Sequence, residues 1–526
     1  MNITIKEAAQ IASEYLCKDV TTSNIMYLVN YGKISKIEED GIIKVSKEEL
    51  FSYYESRCVN RKSEWISKLG DDLNWSLSFD NLKEKDTTKH VHRLHPYKGK
   101  FIPQLVEYFL DLHTDDFKKD VYFNRGDVVL DPFCGSGTTL VQANELCINA
   151  VGIDVSDFNS LLSNCKIARY DIESLKQCIS DITDALDDFV QRNSITAFDD
   201  ELEKALNVFN NKYFPVPDFK RMIQEKKIDG KLYGREKAED FLPIYKSLVD
   251  KYNIRLLQDG SVDRNFLEKW FLYNVREEID FVYSHIKKID DKKNKEILSI
   301  ILSRVMRSCR ATTHSDLGTL KEPMTTTYYC SKHGKICKPL FSIHKWWKAY
   351  SEDTIKRLEE FDGLRTDTYQ YCLSGDSRTI DIIKELENKN DKLSSIVKNN
   401  GIKGMFSSPP YIGLIDYHEQ HAYAYDLFGF ERKDNLEIGP LYKGKGLQAQ
   451  KSYIEAIAQV LDNCRRYMVK DFDIFLVAND KYNLYPSIAE KANMQIVDQY
   501  KRPVLNRTEK DKGAYAEIIF HIKDKK

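Results

Sequence analysis

Four residues, Ser408-Pro409-Pro410-Tyr411, interrupt the apolar run that begins at Met405-Phe406-Ser407. Proline has no N–H and a fixed φ, so a strand must stop there. The carbonyls at the stop are left to accept from another group. The ring of Tyr411 offers a flat surface beside them. Rigid acceptors next to a ring suit a planar heterocycle with an exocyclic amine, which is what a nucleobase turned out of its helix presents. A proline-capped strand end with a packed tyrosine gives the same pattern, so a second element must decide.

That element lies near residue 130. Asp127-Val128-Val129-Leu130 predicts a buried parallel strand. It runs into Asp131-Pro132-Phe133-Cys134-Gly135-Ser136-Gly137-Thr138-Thr139, and the chain then turns helical over 140–146. Gly135 and Gly137 let backbone approach a ligand closely. A second strand, Ala150 to Asp154, ends in an acid 17 residues past Gly137, near the ~20-residue offset at which a carboxylate meets ribose hydroxyls. A phosphate loop or a simple tight turn would look similar. No Gly-Lys-Ser/Thr follows, however, and the leading acid Asp131 repels phosphate and attracts a cation. S-adenosylmethionine carries a sulfonium and an ammonium and no phosphate.

The elements that must position these motifs belong to a long chain. At 526 residues two to four units are expected. Net charge is −2, so any nucleic-acid surface must be local. The 11 cysteines are scattered, and no signal peptide or apolar span is recognised. A reduced cytoplasm, with no membrane association, is the expectation. At the N-terminus, 3–16 and 22–30 read as helices, capped by Thr4 and by Thr22 or Ser23. A hairpin around Glu39-Asp40-Gly41 follows, and Ser46 opens another helix.

Taken together, the motifs resemble those of amino-group DNA methyltransferases. His95-Pro96-Tyr97-Lys98-Gly99-Lys100-Phe101 looks like the segment preceding the glycine motif in cytosine-N4 members. Leu373-Ser374-Gly375-Asp376 resembles the third-strand motif, and Ile415-Asp416-Tyr417 with His421 matches the usual continuation of the catalytic one. Asp473 to Ala478 reads as a late core strand. Arg502 to Thr508 with Glu517 to Phe520 resembles a closing hairpin. The resemblance implies an α/β, Rossmann-like S-adenosylmethionine-dependent sheet with helices on both faces. It implies cofactor contacts from Lys100, Phe101, Asp131, Pro132, Phe133, Cys134, Gly135, Gly137, Thr138, Asp154 and Asp376. Ser408, Pro409, Pro410 and Tyr411 would be catalytic. Serine before Pro-Pro implies cytosine N4; aspartate or asparagine there usually goes with adenine N6. The first 58 residues resemble an excisionase-like winged helix-turn-helix.

Five segments are therefore expected: 1–58, winged-helix-like; 59–89, a connector; 90–164, the cofactor-binding part; 165–365, a mostly helical insert for target recognition; and 366–526, the catalytic part. Helices are predicted over 175–190, 241–252, 266–289 and 297–309. Within the insert, Cys330, His333 and Cys337, with Cys309 and His314 upstream, invite a zinc reading. The spacing is irregular, so buried thiols and packed histidines are expected and no metal ligand is assigned. Trp346 and Trp347 read as core. Double-stranded DNA is the expected substrate, in a restriction-modification setting with a possible cognate endonuclease as a separate partner. Adenine N6 or an RNA base remain alternative targets.

Overall fold

The structure, a computed structural model, describes the chain except residues 17–18, 40, 80–81, 83, 193–194, 257–264, 315, 317–319, 506–513 and 526. Asp40 and the 506–508 stretch of the expected closing hairpin lie outside the described residues.

A seven-stranded sheet organises the molecule. Its strands, in chain order, are β1 (Val128–Asp131), β2 (Asn149–Asp154), β3 (Gln370–Ser374), β4 (Ile402–Ser407), β5 (Met468–Ala478), β6 (Met494–Pro503) and β7 (Ala516–Asp524). Their spatial order is β6-β7-β5-β4-β1-β2-β3. The pairs from β3 through β5 are parallel, and β7 runs antiparallel to both β5 and β6. Every residue of β1 and β2 is buried, as parallel strands covered on two faces require. Alternation along β1 divides the core. Val129 packs with Leu105, Phe109, Leu140 and Phe406 on one face. Val128 and Leu130 pack with Met405, Ile457 and Leu461 on the other, under the helix Leu447–Arg465.

The insert is helical over Ile172–Gln191, Ile195–Tyr213, Asp218–Gln224, Gly230–Lys251, Phe266–Trp270, Tyr273–Lys287, Lys292–Cys309 and His344–Asp362. Periodicity predicts helix in 175–190, 241–252, 266–289 and 297–309, and the helices at 195–213, 218–224 and 344–362 come in addition. The single helix expected over 266–289 is two, parted by extended residues at Phe271 and Leu272. Nor is the insert a detached lobe. Its core is continuous with Val141, Phe158 and Leu162 beneath the sheet and with Tyr423 and Tyr425. Trp347 is fully buried there, its Nε1 donating to the Thr183 hydroxyl at 3.0 Å.

Residues 1–46 form a small unit in which Asn2–Thr4 and Ile37–Glu39 flank Ile42–Ser46. Thr4 and Glu7 bond reciprocally at the first helix start. The second helix is capped by Thr21, one residue before the expected Thr22. The third helix, Lys47–Leu69, begins at its Ser46 cap and runs through the expected boundary at 58 into the connector. The connector docks on β6, where the Asn74 amide donates to the Lys501 carbonyl at 2.7 Å.

Within the insert, Cys330 and Cys337 are buried thiols as expected, and His314 and His333 pack beside them, all four ligand atoms lying within 4.8 Å of one another. Cys309 is apart from them, buried in the helical core.

Candidate active site

The carboxyl ends of β1 and β4 carry the two motifs, and these strands are neighbours. From β1 the order runs to β2 and β3 on one side and to β4 and β5 on the other. Such a reversal opens a crevice at the strand ends, where α/β sheets take their ligands. A direct bond ties the two ends: Ser407 Oγ donates to Asp131 Oδ1 at 2.5 Å.

The turn after β1 needs its glycines. Gly137 has φ +75° and precedes the helix Thr138–Glu145. A Cβ there would sit 2.9–3.1 Å from Ser163. Gly135, at φ +51°, has the Tyr97 hydroxyl 3.0 Å from where its Cβ would be. This close fit lets the Gly135 amide donate to Asp154 Oδ2 at 2.8 Å. Asp154 Oδ1 accepts from the Ser156 amide at 2.9 Å and from Asn159 Nδ2 at 3.1 Å. A carboxylate has about four acceptor positions, so one remains for a ligand hydroxyl. Burial pushes Asp154 up to about 6 despite these donors.

An open cleft lies over this turn. Of the sequence-predicted residues, Lys100, Phe101, Phe133, Cys134, Gly135, Thr138, Asp154, Asp376, Ser408 and Pro410 line it. Five do not. Asp131 lies beneath the floor, 1% exposed, bonded to Ser407 and the Phe133 amide and pushed up to about 6 by burial. It braces the turn instead of facing a cation. Pro132 is buried, its carbonyl accepting from Ser377 Oγ at 2.6 Å. Gly137 shapes the turn from behind, and Pro409 is buried. Tyr411 turns its hydroxyl to Glu517 Oε1 at 2.9 Å, and burial pushes its phenol well up. Lys100 donates to the His92 carbonyl at 2.8 Å, and burial pulls its ammonium down to about 8. Burial pushes the Cys134 thiol up, away from nucleophilic use.

Sequence reading passed over Tyr97, Asn159, Tyr417 and Glu437, which also line the cleft. Tyr97 stacks on Tyr417 at 6.2 Å and on His421 at 5.8 Å. Tyr97 and Tyr417 stood inside quoted motifs, whereas nothing around Glu437 marks it. Its Oε1 accepts from the His418 amide at 2.8 Å. Three buried polar atoms of the wall, Ser136 Oγ, Asn159 Oδ1 and Glu437 Oε2, have no partner among the described residues. Buried polar groups are seldom left so, and these suit a polar ligand.

Comparison with known proteins identifies the family. The DNA methylase family of N6/N4 type matches residues 18–161. The type II methyltransferase M.MjaII of Methanocaldococcus jannaschii is 46% identical over 99% of this chain and 96% of its own length. This chain belongs to the type II DNA methyltransferases. The type II methyltransferase M.MvaI of Kocuria varians is 32% identical over 22% of the chain and 24% of its own length. A tRNA (guanine(10)-N2)-dimethyltransferase of M. jannaschii is 24% identical over 39% of this chain and 70% of its own.

The methyltransferase is thus an amino-group DNA methylase with a Rossmann-like sheet and S-adenosylmethionine as its cofactor. The cleft fits that group. It offers one open carboxylate position at Asp154, unpartnered polar atoms at Ser136 and Asn159, and aromatic walls at Phe101, Phe133 and Tyr97. No lysine stands in the glycine turn to demand a phosphate. No helix among the described residues is long and apolar enough to cross a membrane.

Proposed function

We propose that this methyltransferase methylates the N4 amine of a cytosine flipped from double-stranded DNA. Ser408 carries the reading: it stands on the cleft wall at the carboxyl end of β4, beside the cofactor turn. When bound, S-adenosylmethionine supplies the electrophilic methyl group.

The chain's own task is to hold the amine. A cytosine amine is a weak nucleophile because its lone pair is delocalised into the ring. Ser408 Oγ and the Pro409 carbonyl accept its two N–H bonds and favour a tetrahedral nitrogen. Tyr411 donates to Glu517, which fixes the residue that follows the two prolines. Pro410 fixes the backbone, and Tyr411, packed behind the cleft wall with its hydroxyl on Glu517, holds the strand end in place. Positioning of this kind contributes up to about 7–11 kcal/mol in favourable cases. The residues grouped for the cofactor are Lys100, Phe101, Phe133, Gly135, Thr138, Asp154 and Asp376.

The segments take roles accordingly. Residues 1–58 act as a winged helix-turn-helix, the helices of 165–365 carry target recognition, and 90–164 and 366–526 form the catalytic body. The enzyme works in the cytoplasm, in a restriction-modification system whose nuclease is a separate chain. Mass spectrometry of nucleosides from DNA treated with the full chain tests the reading. N4-methylcytosine is expected. N6-methyladenine alone overturns the base assignment, and methylation of RNA but not DNA overturns the substrate.

A further inference from the structure

The hairpin Tyr328–Cys330 and Lys335–Cys337 within the insert has two unlike faces. Tyr329 and Ile336, paired across the strands, pack onto the helical core. Tyr329 lies so close to Gly234 that a Cβ there would sit 2.3 Å from the ring. The opposite face presents Tyr328, Cys330 and Cys337, which form a separate cluster of only three buried residues with Met324. Strands of three residues cannot hold a hairpin by themselves, and so small a cluster adds little burial. On this face His314 and His333 meet the two thiols, all four ligand atoms lying within 4.8 Å of one another.

We infer that His314, Cys330, His333 and Cys337 bind a zinc ion that staples this hairpin to the chain leaving the helix Lys292–Cys309. Zinc takes four sulfur and nitrogen ligands at roughly 2.3 and 2.0–2.1 Å, so neighbouring ligand atoms stand about 3.3–3.8 Å apart. Cys337 Sγ and His333 Nδ1 are already 3.5 Å apart, and the imidazoles of His314 and His333 are 4.4 Å apart. The remaining distances, all within 4.8 Å, close by at most about 1.5 Å.

The surroundings are those a structural zinc site uses. Tyr328 Oη lies 2.8 Å from His314 Nδ1. With the proton on Nδ1, donating to that hydroxyl, Nε2 presents its lone pair to the metal, as outer partners of zinc-bound histidines arrange. Gly334, at φ +65°, turns the chain between the ligands, and its amide donates to the Cys330 carbonyl at 2.7 Å. Two thiolates neutralise the dication, so the site leaves no net charge. Cys330 and Cys337 are buried while His314 reaches the surface, which gives the ion a route in.

The staple also reaches a second unit. Lys220 lies against Gly334 and donates to the Lys332 carbonyl at 3.4 Å. The same ammonium stands 4.4 Å over the Tyr31 ring of the N-terminal unit. The knuckle therefore braces the joint between that unit and the insert.

The test is metal analysis of the full chain, purified without chelator under reducing conditions. About one zinc per chain is expected, with thiolate–cobalt absorption and tetrahedral ligand-field bands in the visible when cobalt replaces it. Cys330 and Cys337 should resist alkylation until a chelator is added. Cys330→Ser with Cys337→Ser should abolish the zinc, and Cys309→Ala should retain it. If the double variant fails to fold, the cobalt spectrum and the alkylation pattern of the unaltered chain decide. Zinc well below one equivalent after zinc-supplemented expression overturns the inference. So does a Cys330–Cys337 disulfide in the native chain, or a cobalt spectrum without thiolate bands.

Discussion

The strand ends and the helical insert are built on different logics. At the ends of β1 and β4 the working residues come in unbroken strings, because a strand stop and a glycine turn are local events that put consecutive side chains and amides around one crevice. In the insert the residues that matter are far apart in sequence. Trp347 meets Thr183, and His314 meets a hairpin that begins 14 residues later at Tyr328. Changes at the strand ends should therefore alter binding or turnover with little effect on stability. Changes in the insert should do the reverse.

The sharpest separation is expected from Trp347→Ala. It removes a fully buried indole, so stability should fall by about 3–5 kcal/mol, read by denaturant unfolding. S-adenosylmethionine affinity at a temperature where the variant stays folded should be unchanged. A large loss of affinity would show that the two regions are coupled. Ser408→Ala should leave unfolding and cofactor affinity unaltered while turnover falls by about 10²–10³-fold, measured by methyl transfer to DNA at saturating cofactor. Full activity would remove Ser408 from the chemistry. Gly137→Ala combines a left-handed backbone with contacts of 2.9–3.1 Å to Ser163. It should cost about 1–3 kcal/mol, expressed in calorimetry as at least tenfold weaker cofactor binding.

A pH series sharpens the same contrast. Burial raises Asp154 from 3.8 to about 6. For an acid so raised, the contribution to folding is full below pH 3.8 and is lost as pH rises through about 6, because the folded chain holds the proton more tightly. Binding runs the other way, since the ionised carboxylate is the better acceptor. Cofactor affinity should fall as pH drops below about 6, by about tenfold or more for one charge-assisted bond. In Asp154→Asn that pH dependence should be lost. The smallest effect is expected at Thr21→Ala, where loss of the helix cap costs about 1 kcal/mol without changing cofactor binding.

These contrasts also explain what could be read from the chain alone. Val128 to Asp131 is wholly apolar until its last residue, and such a strand feeding Gly135 and Gly137 has few alternative folds. Proline at 409 and 410 marks the end of β4 equally well. The pairing of those two ends was not legible, since the bond that joins them comes from Ser407, which reads as one more strand residue. Asp131 was misjudged for a related reason. Its charge suggested a ligand, but burial under the turn is a tertiary fact. Tyr417 and Glu437 lie on a loop-rich stretch whose path over the cleft no local pattern specifies. In the insert, helix periodicity foretold four helical stretches but not the helices at 195–213, 218–224 and 344–362, nor the break at Phe271 and Leu272, where both residues are buried and extended. The His314, Cys330, His333 and Cys337 spacing matched no regular ligand pattern, because one ligand arrives from another segment.

The bond between Ser407 and Asp131 spans 276 positions of the chain, and this sets a schedule for the protein as it is made. When the glycine turn leaves the ribosome, its bracing partner has yet to be synthesised. The first 400 residues can fold their helices, but the buried carboxyl beneath the turn still lacks Ser407. Glu517, to which Tyr411 donates, is made later still. Cofactor capture should therefore switch on late in translation, so that a prematurely terminated chain cannot hold S-adenosylmethionine and withhold it from finished enzymes.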